Sequence, residues 1–205
     1  VEYIAPAYGS GATAIASVDD AGQIQALIPK KGGSKYRLDF NPKVTILSTS
    51  GGGSTAKSLI GGIKNINLID GANLVSFPVL PENRSIENAF SSLGENICSV
   101  ISEGLAAAQL SPGNWVGSLN EIEYHKGYWL IMCGGSDNLF IEGFSVEPSE
   151  VVYDLHIGNN LIGFPFDISV DISTSIPDSV ESFFEGIIGQ GVAAQQVSPF
   201  TWVGS

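Results

Sequence analysis

The sequence predicts a mainly β protein with a few short helices: a small glycine-rich β domain followed by two tandem α+β modules. Three observations predict this fold class. The 205 residues include 25 glycines, 43% are hydrophobic and only 15% are charged, a composition that favours turns and short strands around a packed core. Only one short segment, residues 85–93, is a good helix candidate. A long segment also returns at a constant offset.

The repeat has an offset of 87 residues, since Gly71, Asn73-Leu74 and Phe77-Pro78 return as Gly158, Asn160-Leu161 and Phe164-Pro165. Further matches at this offset are Gly104 with Gly191, Ala106-Ala107 with Ala193-Ala194, Ser111-Pro112 with Ser198-Pro199, and 115–118 with 202–205. So many unlike residue types in one register indicate a duplicated module. We therefore predict three parts: residues 1–67, a first module at 68–145 and a second module at 146–205. Duplication favours a structural or binding role, because catalysis generally needs one asymmetric site.

The first 67 residues read as short strands between turns. Alternation predicts strands at 14–18, 24–28 and 44–47, and the glycine density disfavours a helix. Asp19-Asp20-Ala21-Gly22 is typical of a turn. The tracts Gly32-Gly33-Ser34 and Gly51-Gly52-Gly53-Ser54 lack the ending of a phosphate loop, so they are also predicted to be turns. Gly11-Ala12-Thr13-Ala14 is echoed at 53–56.

The first module alternates strands with one helix. Leu74–Pro78 reads as a strand that ends at proline. Ser85–Leu93 is predicted to be a helix, because Ser85 can cap it, an acidic residue lies in its first turn and Gly94 terminates it. Ile97–Ala108 is compatible with a strand or a helix, and Gly104 with the copied apolar positions favours an extended hairpin. Further strands are predicted at 115–119, 127–132 and 139–141.

The second module is an incomplete copy. It runs to Ser205, the equivalent of Ser118, and the counterpart of His125–Trp129 is missing. A sheet without that aromatic strand would expose its core and an unpaired edge. We therefore expect either that the chain was cut or that a neighbouring molecule or segment supplies the strand. A start at Val1 rather than Met suits a processed product or a fragment.

The net charge, the hydrophobic pattern and the cysteine content limit the classes of partner and cofactor that are expected. Nine basic and twenty-one acidic residues give a net charge of −12, which disfavours nucleic acid because phosphate contacts need clustered Lys and Arg. No apolar run is long enough to span a bilayer, so membrane insertion is not expected. Cys98 and Cys133 could form a bridge or remain two inert thiols. No cysteine or histidine cluster suggests a metal, and no cofactor is expected.

The sequence shows no arrangement of residues that is typical of a catalytic site. Only His125 and His156 could serve as a base, they do not occupy matching positions of the two copies, and no Gly-x-Ser-x-Gly elbow accompanies them. Glu121 and Glu123 would alternate on one strand face, where two acids are usually just solvated. We therefore predict a non-enzymatic protein with no catalytic residues.

The aromatic residues are the best candidates for contacts. Trp115 recurs as Trp202 with its local Val-Gly-Ser, which favours a core role for both, and Phe77 and Phe164 are expected to be core anchors as well. Tyr128 and Trp129 are the candidate ligand-binding residues, because flat aromatic faces stack on sugar rings. As neighbours on a strand they point to opposite faces, so one of them is expected to be exposed.

Two resemblances extend this interpretation. Gly32–Tyr36 and Pro42–Ile46 resemble the Gly-Gly-x-x-Tyr…Pro-x-Val-Thr-Ile…Gly-x-Gly-Ala-Thr-Ala repeats in tail and other virion proteins of marine bacteriophages. Lys35 and Arg37–Phe40 depart from the usual Gly/Ser/Thr-rich tract. Asn73–Pro78, Trp115–Leu119 and Lys126–Trp129 stand in the order typical of modules in extracellular bacterial and archaeal proteins and marine phage structural proteins. Those modules are appended, non-catalytic β-rich units.

The resemblances imply a structural component of a virus particle, such as a bacteriophage tail, fibre or decoration protein, that joins sheet edges with other copies or other virion proteins. The alternative is a secreted or cell-surface bacterial adhesin, or a carbohydrate-binding accessory module of an extracellular enzyme. Host-surface glycans are a further expected partner. Either role places the protein in a virion or outside the cell.

Overall fold

The structure is a computed structural model that describes residues 10–34, 61–166 and 168–204. The prediction of a mainly β fold is confirmed, with 47% strand, 11% helix and three short helices among the described residues. The chain divides into two compact units, Val1–Gly61 and Gly62–Ser205. The boundary thus lies near residue 61 rather than the predicted 67, because the strand Gly61–Leu68 pairs within the second unit.

The first unit contains an antiparallel hairpin of β1 (Ser10–Val18) and β2 (Ile24–Ser34), which confirms the strands predicted at 14–18 and 24–28. The predicted Asp19 turn joins them, and its Oδ1 accepts hydrogen bonds from the backbone N–H groups two and four residues later. The prediction of a turn at Gly32-Gly33-Ser34 is wrong, because these residues continue β2, with Gly32 opposite Ala12. The predictions for 44–47, 51–54 and 53–56 lie outside the described residues.

The second unit contains eleven strands among its described residues. Their bounds are β3 Gly61–Leu68, β4 Gly71–Val75, β5 Val79–Leu80, β6 Ile97–Ser102, β7 Leu105–Ser111, β8 Asn114–Gly117, β9 Tyr128–Met132, β10 Asp137–Ser145, β11 Gly186–Gly189, β12 Val192–Ser198 and β13 Thr201–Gly204. They form three sheets in the orders β3-β10-β5, β4-β9-β6-β7-β8 and β11-β12-β13. Strand β9 therefore lies inside the five-stranded sheet, between β4 and β6.

The predicted helix begins directly after its capping residue, Ser85. The hydroxyl of Ser85 accepts a hydrogen bond from the Asn88 N–H, and α1 covers Ile86–Ala89. A 3₁₀ turn at Ser91–Leu93 follows, and Gly94 ends it with φ +53°. The helical segment is thus shorter and more irregular than the nine residues predicted. Two further short helices are α2 (Ile172–Ser175) and α3 (Asp178–Glu181).

The hydrophobic core lies in the first module, where the five-stranded sheet, the sheet β3-β10-β5 and the segment around α1 meet. Tyr128, Leu130 and Met132 of β9 are each at most 2% exposed, so alternate residues of this strand fill the centre of the core. Leu139 and Ile141 of β10 contribute from the other sheet. Strand β9 is therefore the main structural element of this core.

Cys98 and Cys133 form a disulfide, which settles the alternative left open by the sequence. The bridge connects β6 to the end of β9, with the two Cα atoms 5.8 Å apart. It closes a loop over 35 positions of the chain and so anchors the central strand covalently.

The second module repeats the local structure of the first at the predicted offset. Strands β12 and β13 lie 87 residues after β7 and β8 at both ends. Gly117 and Gly204 occupy equivalent positions, where an added Cβ would lie 2.2 Å and 2.1 Å from a backbone carbonyl oxygen of the neighbouring strand. The same close strand approach thus requires glycine twice.

Candidate interaction surface

The second module lacks a counterpart of β9 among its described residues. In the first module β9 pairs with β6, and Val100 lies opposite Leu130. The counterpart of β6 is β11, which pairs with β12 and forms the outer strand of its three-stranded sheet. We call the side of β11 that faces away from β12 the open edge. Within the part of the chain that the structure describes, no strand pairs with it.

Apolar side chains around the open edge are more exposed than their counterparts in the first module. Val100 is fully buried, whereas its counterpart Ile187 is only half-buried. Exposure rises from 1% at Phe77 to 38% at the equivalent Phe164. Ile188, whose position along the strand puts it on the opposite face from Ile187, is 77% exposed. The surface is thus a strand edge bordered by partly uncovered apolar groups, as the sequence predicted.

The segment equivalent to β4 does not form a strand in the second module. Ile162, the counterpart of Val75, instead makes an isolated antiparallel bridge with Lys126. The N–H of Gly127 donates to the Leu161 carbonyl at 3.1 Å, and the N–H of Gly163 donates to the His125 carbonyl at 2.8 Å. The residues directly before β9 in the first module therefore bind the start of the second module through backbone hydrogen bonds.

The two modules also exchange reciprocal hydrogen bonds. The Glu103 carboxylate accepts a bond from the Leu161 N–H at 2.7 Å, and the Gln190 side chain accepts one from the Leu74 N–H at 2.8 Å. Gln190 lies 87 residues after Glu103, as Leu161 does after Leu74. The modules are thus related like the halves of an isologous dimer, in which each half offers the same group to the other.

The Glu103 contact includes a histidine. The imidazole Nε2 of His156 binds the Glu103 carboxylate, and its Nδ1 lies 2.9 Å from the Ile157 carbonyl. The hydrogen bond from the Leu161 N–H, followed by that from His156, lowers the pKa of Glu103. The Ile157 carbonyl and then Glu103 raise the pKa of His156. His156 thus takes part in the contact between the modules, on a segment without regular structure.

The two predicted ligand-binding residues, Tyr128 and Trp129, differ in burial. Tyr128 is fully buried, and its hydroxyl accepts a hydrogen bond from the Glu123 N–H at 2.7 Å, so it does not reach a ligand at the surface. Burial raises the pKa of this hydroxyl. Trp129 is 36% exposed on the opposite face. Of the two candidates, only Trp129 is placed to contact a partner.

The predicted core anchors also differ between modules. Phe77 lies in the core, and its ring centroid is 5.5 Å from that of Tyr128. Trp115 is half-buried against the core. Trp202 is half-buried too, and its indole N–H donates to the carboxylate of the buried Glu181 at 2.6 Å. Phe164 departs from the expected core role, because the described second module has no strand equivalent to β9 to cover it.

Among the remaining chemical candidates, Glu123 contacts two basic side chains, and the Lys126 Nζ lies 2.5 Å from its carboxylate. The Nδ1 atom of His125 lies 3.5 Å from the Glu123 carboxylate. Glu121 makes an isolated bridge with Ser85, and the alternating strand expected at Glu121 and Glu123 is absent from these described residues. No group of three or more His, Cys, Asp or Glu among the described residues could hold a metal ion.

Sequence reasoning found the duplicated module but missed the reciprocal contacts. Glu103 and Gln190 differ in residue type, so the comparison of the two copies did not align them as a match. Each directly precedes a copied glycine of a hairpin turn, Gly104 or Gly191, with φ of +69° and +73°. Their shared position next to the repeated turn could have indicated the contact, because a long polar side chain there can reach a neighbouring module.

No protein-family model, curated protein or solved structure matches this chain. Among the residues that the structure describes, no helix is both long and apolar enough to cross a membrane.

Proposed function

We propose that this chain is a non-catalytic structural or assembly component of a virus particle, of the kind found in bacteriophage tails, fibres or decoration proteins. The observation that carries the proposal is the duplicated β module, whose two copies keep one strand register and bond each other through equivalent hairpin turns. Small repeated modules in series are suited to building and display rather than to catalysis. The resemblances of the sequence to virion repeats and modules supply the setting.

The contact between modules supports an assembly role. Each module bonds its neighbour through a hairpin turn and a backbone N–H, so a module is built to dock on a copy of itself. Other copies of the chain, or other virion proteins, are the partners that such sheet edges would join. The disulfide supports a location in the virion or outside the cell, because such bonds persist in oxidising surroundings.

The test is to fractionate particles on a density gradient and measure the protein by mass spectrometry and by labelling with specific antibody. Comigration with intact particles at a fixed copy number per particle is the expected result. Recovery of the protein only in the free fraction, or on bacterial surfaces, would refute the virion role.

A second candidate function follows from Trp129. Its indole is 36% exposed on the sheet, which suits stacking on a sugar ring in an adhesin or in a carbohydrate-binding accessory module. A glycan array probed with the wild-type chain and with Trp129→Ala tests it, with Phe140→Ala, another exposed aromatic position, as the matched control. Binding lost only with Trp129→Ala would support the adhesin role, and absence of binding would oppose it.

A further inference from the structure

The tryptophan that recurs in both modules differs in how its indole N–H is bonded. In the second module the Trp202 N–H donates to the carboxylate of the buried Glu181 at 2.6 Å. In the first module no residue that the structure describes accepts a hydrogen bond from the indole N–H of the half-buried Trp115. Buried indole N–H groups usually have a partner, so the first module has a donor available at this position.

The difference has its origin at the position of Glu181. This residue lies 87 positions after Gly94. Its carbonyl accepts from the side chain of Gln196 at 3.2 Å, as the Gly94 carbonyl accepts from the equivalent Gln109 at 2.7 Å. The two positions therefore make the same backbone contact, but glycine supplies no carboxylate. The first module thus lacks the internal acceptor that the second module provides for its tryptophan.

Trp115 also lines an open pocket between α1 and the outer strand β8, with about 490 Å³ of empty space, part of it open solvent. Glu87 and Asn120 are exposed polar residues of the lining, and Val116 adds an exposed apolar one. The Asn120 Nδ2 donates to the Ser118 carbonyl at 3.4 Å, which leaves its Oδ1 as an acceptor. No lysine, arginine or histidine is among the described residues that line the pocket.

These groups match the chemistry of a sugar. A sugar ring has apolar faces that stack on aromatic rings, and its hydroxyl groups both donate and accept hydrogen bonds. The Trp115 N–H can donate to a hydroxyl oxygen, while the Glu87 carboxylate and the Asn120 Oδ1 can accept from hydroxyl groups. An anionic ligand is disfavoured, because Glu87 lies at the pocket and the chain carries a net charge of −12.

We propose that this pocket, which we call the Trp115 pocket, binds a neutral sugar unit of a glycan. Trp115 supplies the stacking surface and the donor, and Glu87 and Asn120 supply the acceptors. The proposal goes beyond the functions above and does not depend on Trp129, because β6 and β7 separate β8 from the strand that carries Trp129. The second module does not offer the same site, since Glu181 already binds its indole.

The experiment uses the whole chain, labelled with ¹⁵N, and an array of neutral and acidic oligosaccharides. The three tryptophans give three indole N–H signals in an NMR spectrum, and single Trp→Phe variants assign them. We expect at least one neutral oligosaccharide to shift the Trp115 signal saturably. The Trp202 signal should stay in place, because its N–H is already bonded. Acidic oligosaccharides should shift neither signal.

Two pairs of variants test the contacts by titration. Trp115→Phe keeps an aromatic ring but removes the donor, so it should weaken binding about tenfold, whereas Trp202→Phe should leave the affinity unchanged. Glu87→Gln should also weaken binding about tenfold, and its exposed position protects the fold if Trp115→Phe disturbs the packing on Phe90. Its control is Glu95→Gln, an exposed glutamate outside the pocket lining, which should bind like the wild type.

Absence of saturable binding by any neutral oligosaccharide would overturn the proposal, as would wild-type affinity in Glu87→Gln or in a folded Trp115→Phe. Loss of binding with Trp129→Ala alone would place the glycan on the sheet face instead and would also refute the Trp115 pocket. Particle fractionation reports on the virion role without any glycan. Failure of one proposal is therefore distinguishable from failure of the other.

Discussion

A side chain that occurs at the same position of both modules offers a direct test of how far the second module is closed. Asn73 is 4% exposed; its Oδ1 accepts from the Ile69 N–H at 2.8 Å, and its Nδ2 donates to the carbonyls of Ile69 and Gly71 at 2.8 Å and 3.1 Å. It ties the loop before β4 to the start of that strand. The perturbation is Asn73→Ala, which removes these three hydrogen bonds and a longer one from Nδ2 to the Leu130 carbonyl at 3.5 Å.

The matched perturbation is Asn160→Ala. Asn160 repeats the three local bonds at the same offset: its Oδ1 accepts from the His156 N–H at 2.9 Å, and its Nδ2 donates to the carbonyls of His156 and Gly158 at 2.9 Å and 3.1 Å. The difference is burial, since Asn160 is only half-buried. Water can therefore replace the lost partners at the second site.

The expected magnitudes follow from that difference. A hydrogen bond contributes about 1 kcal/mol net, and a buried group left unpaired loses more, so Asn73→Ala should lower the free energy of unfolding by about 3 kcal/mol. Asn160→Ala should cost about 1 kcal/mol or less, because its neighbours regain water. Urea unfolding gives the free energies. Hydrogen exchange at the Ile69 and His156 amides reports each loop separately.

The reasoning would be refuted by equal costs at the two positions, or by a larger cost at Asn160. Either result would mean that the second module buries its loop as fully as the first, and that its sheet is not open.

Three further predictions concern other features. The double variant Cys98→Ala/Cys133→Ala should lose about 4 kcal/mol of unfolding free energy by the loop-entropy estimate for a separation of 35 residues, measured by urea unfolding against the oxidised protein. Phe200→Gly should gain about 1 kcal/mol in the same assay, because Phe200 has φ +63° and an L-residue is disfavoured there; a loss would contradict this. The contact between Glu103 and His156 should be fully effective between about pH 4.5 and 6.5. It should weaken as the pH rises through the raised pKa of the histidine or falls through the lowered pKa of the carboxyl, which NMR titration of both side chains with Leu161 amide exchange measures.

Local features of the fold could be predicted because short segments of sequence encode them. Ser85 caps α1, Gly94 ends the helical segment and the Asp19 turn joins β1 to β2, each as expected from neighbouring residues. The failure at Gly32-Gly33 has a physical reason. Glycine permits a turn but does not require one, and pairing with β1 kept this tract extended.

Long-range features of the candidate site were less predictable. The duplication of the module could be predicted, because equivalent residues return at one constant offset. Which of Tyr128 and Trp129 faces the core depends on how two sheets stack, and alternation alone leaves that choice open. The bonds from Glu103 and Gln190 depend on how one module packs against the other, which sequence periodicity does not encode.

Comparison of the two modules separates what local sequence provides from what strand β9 provides. The asparagine loops, the positive-φ glycines at the hairpin turns and the register of the β12–β13 pair persist in the second module without a closed core. Strand β9 and the sheet stacked on it bury the core side chains of the first module. The equivalent side chains of the second module, Ile187 and Phe164, are more exposed.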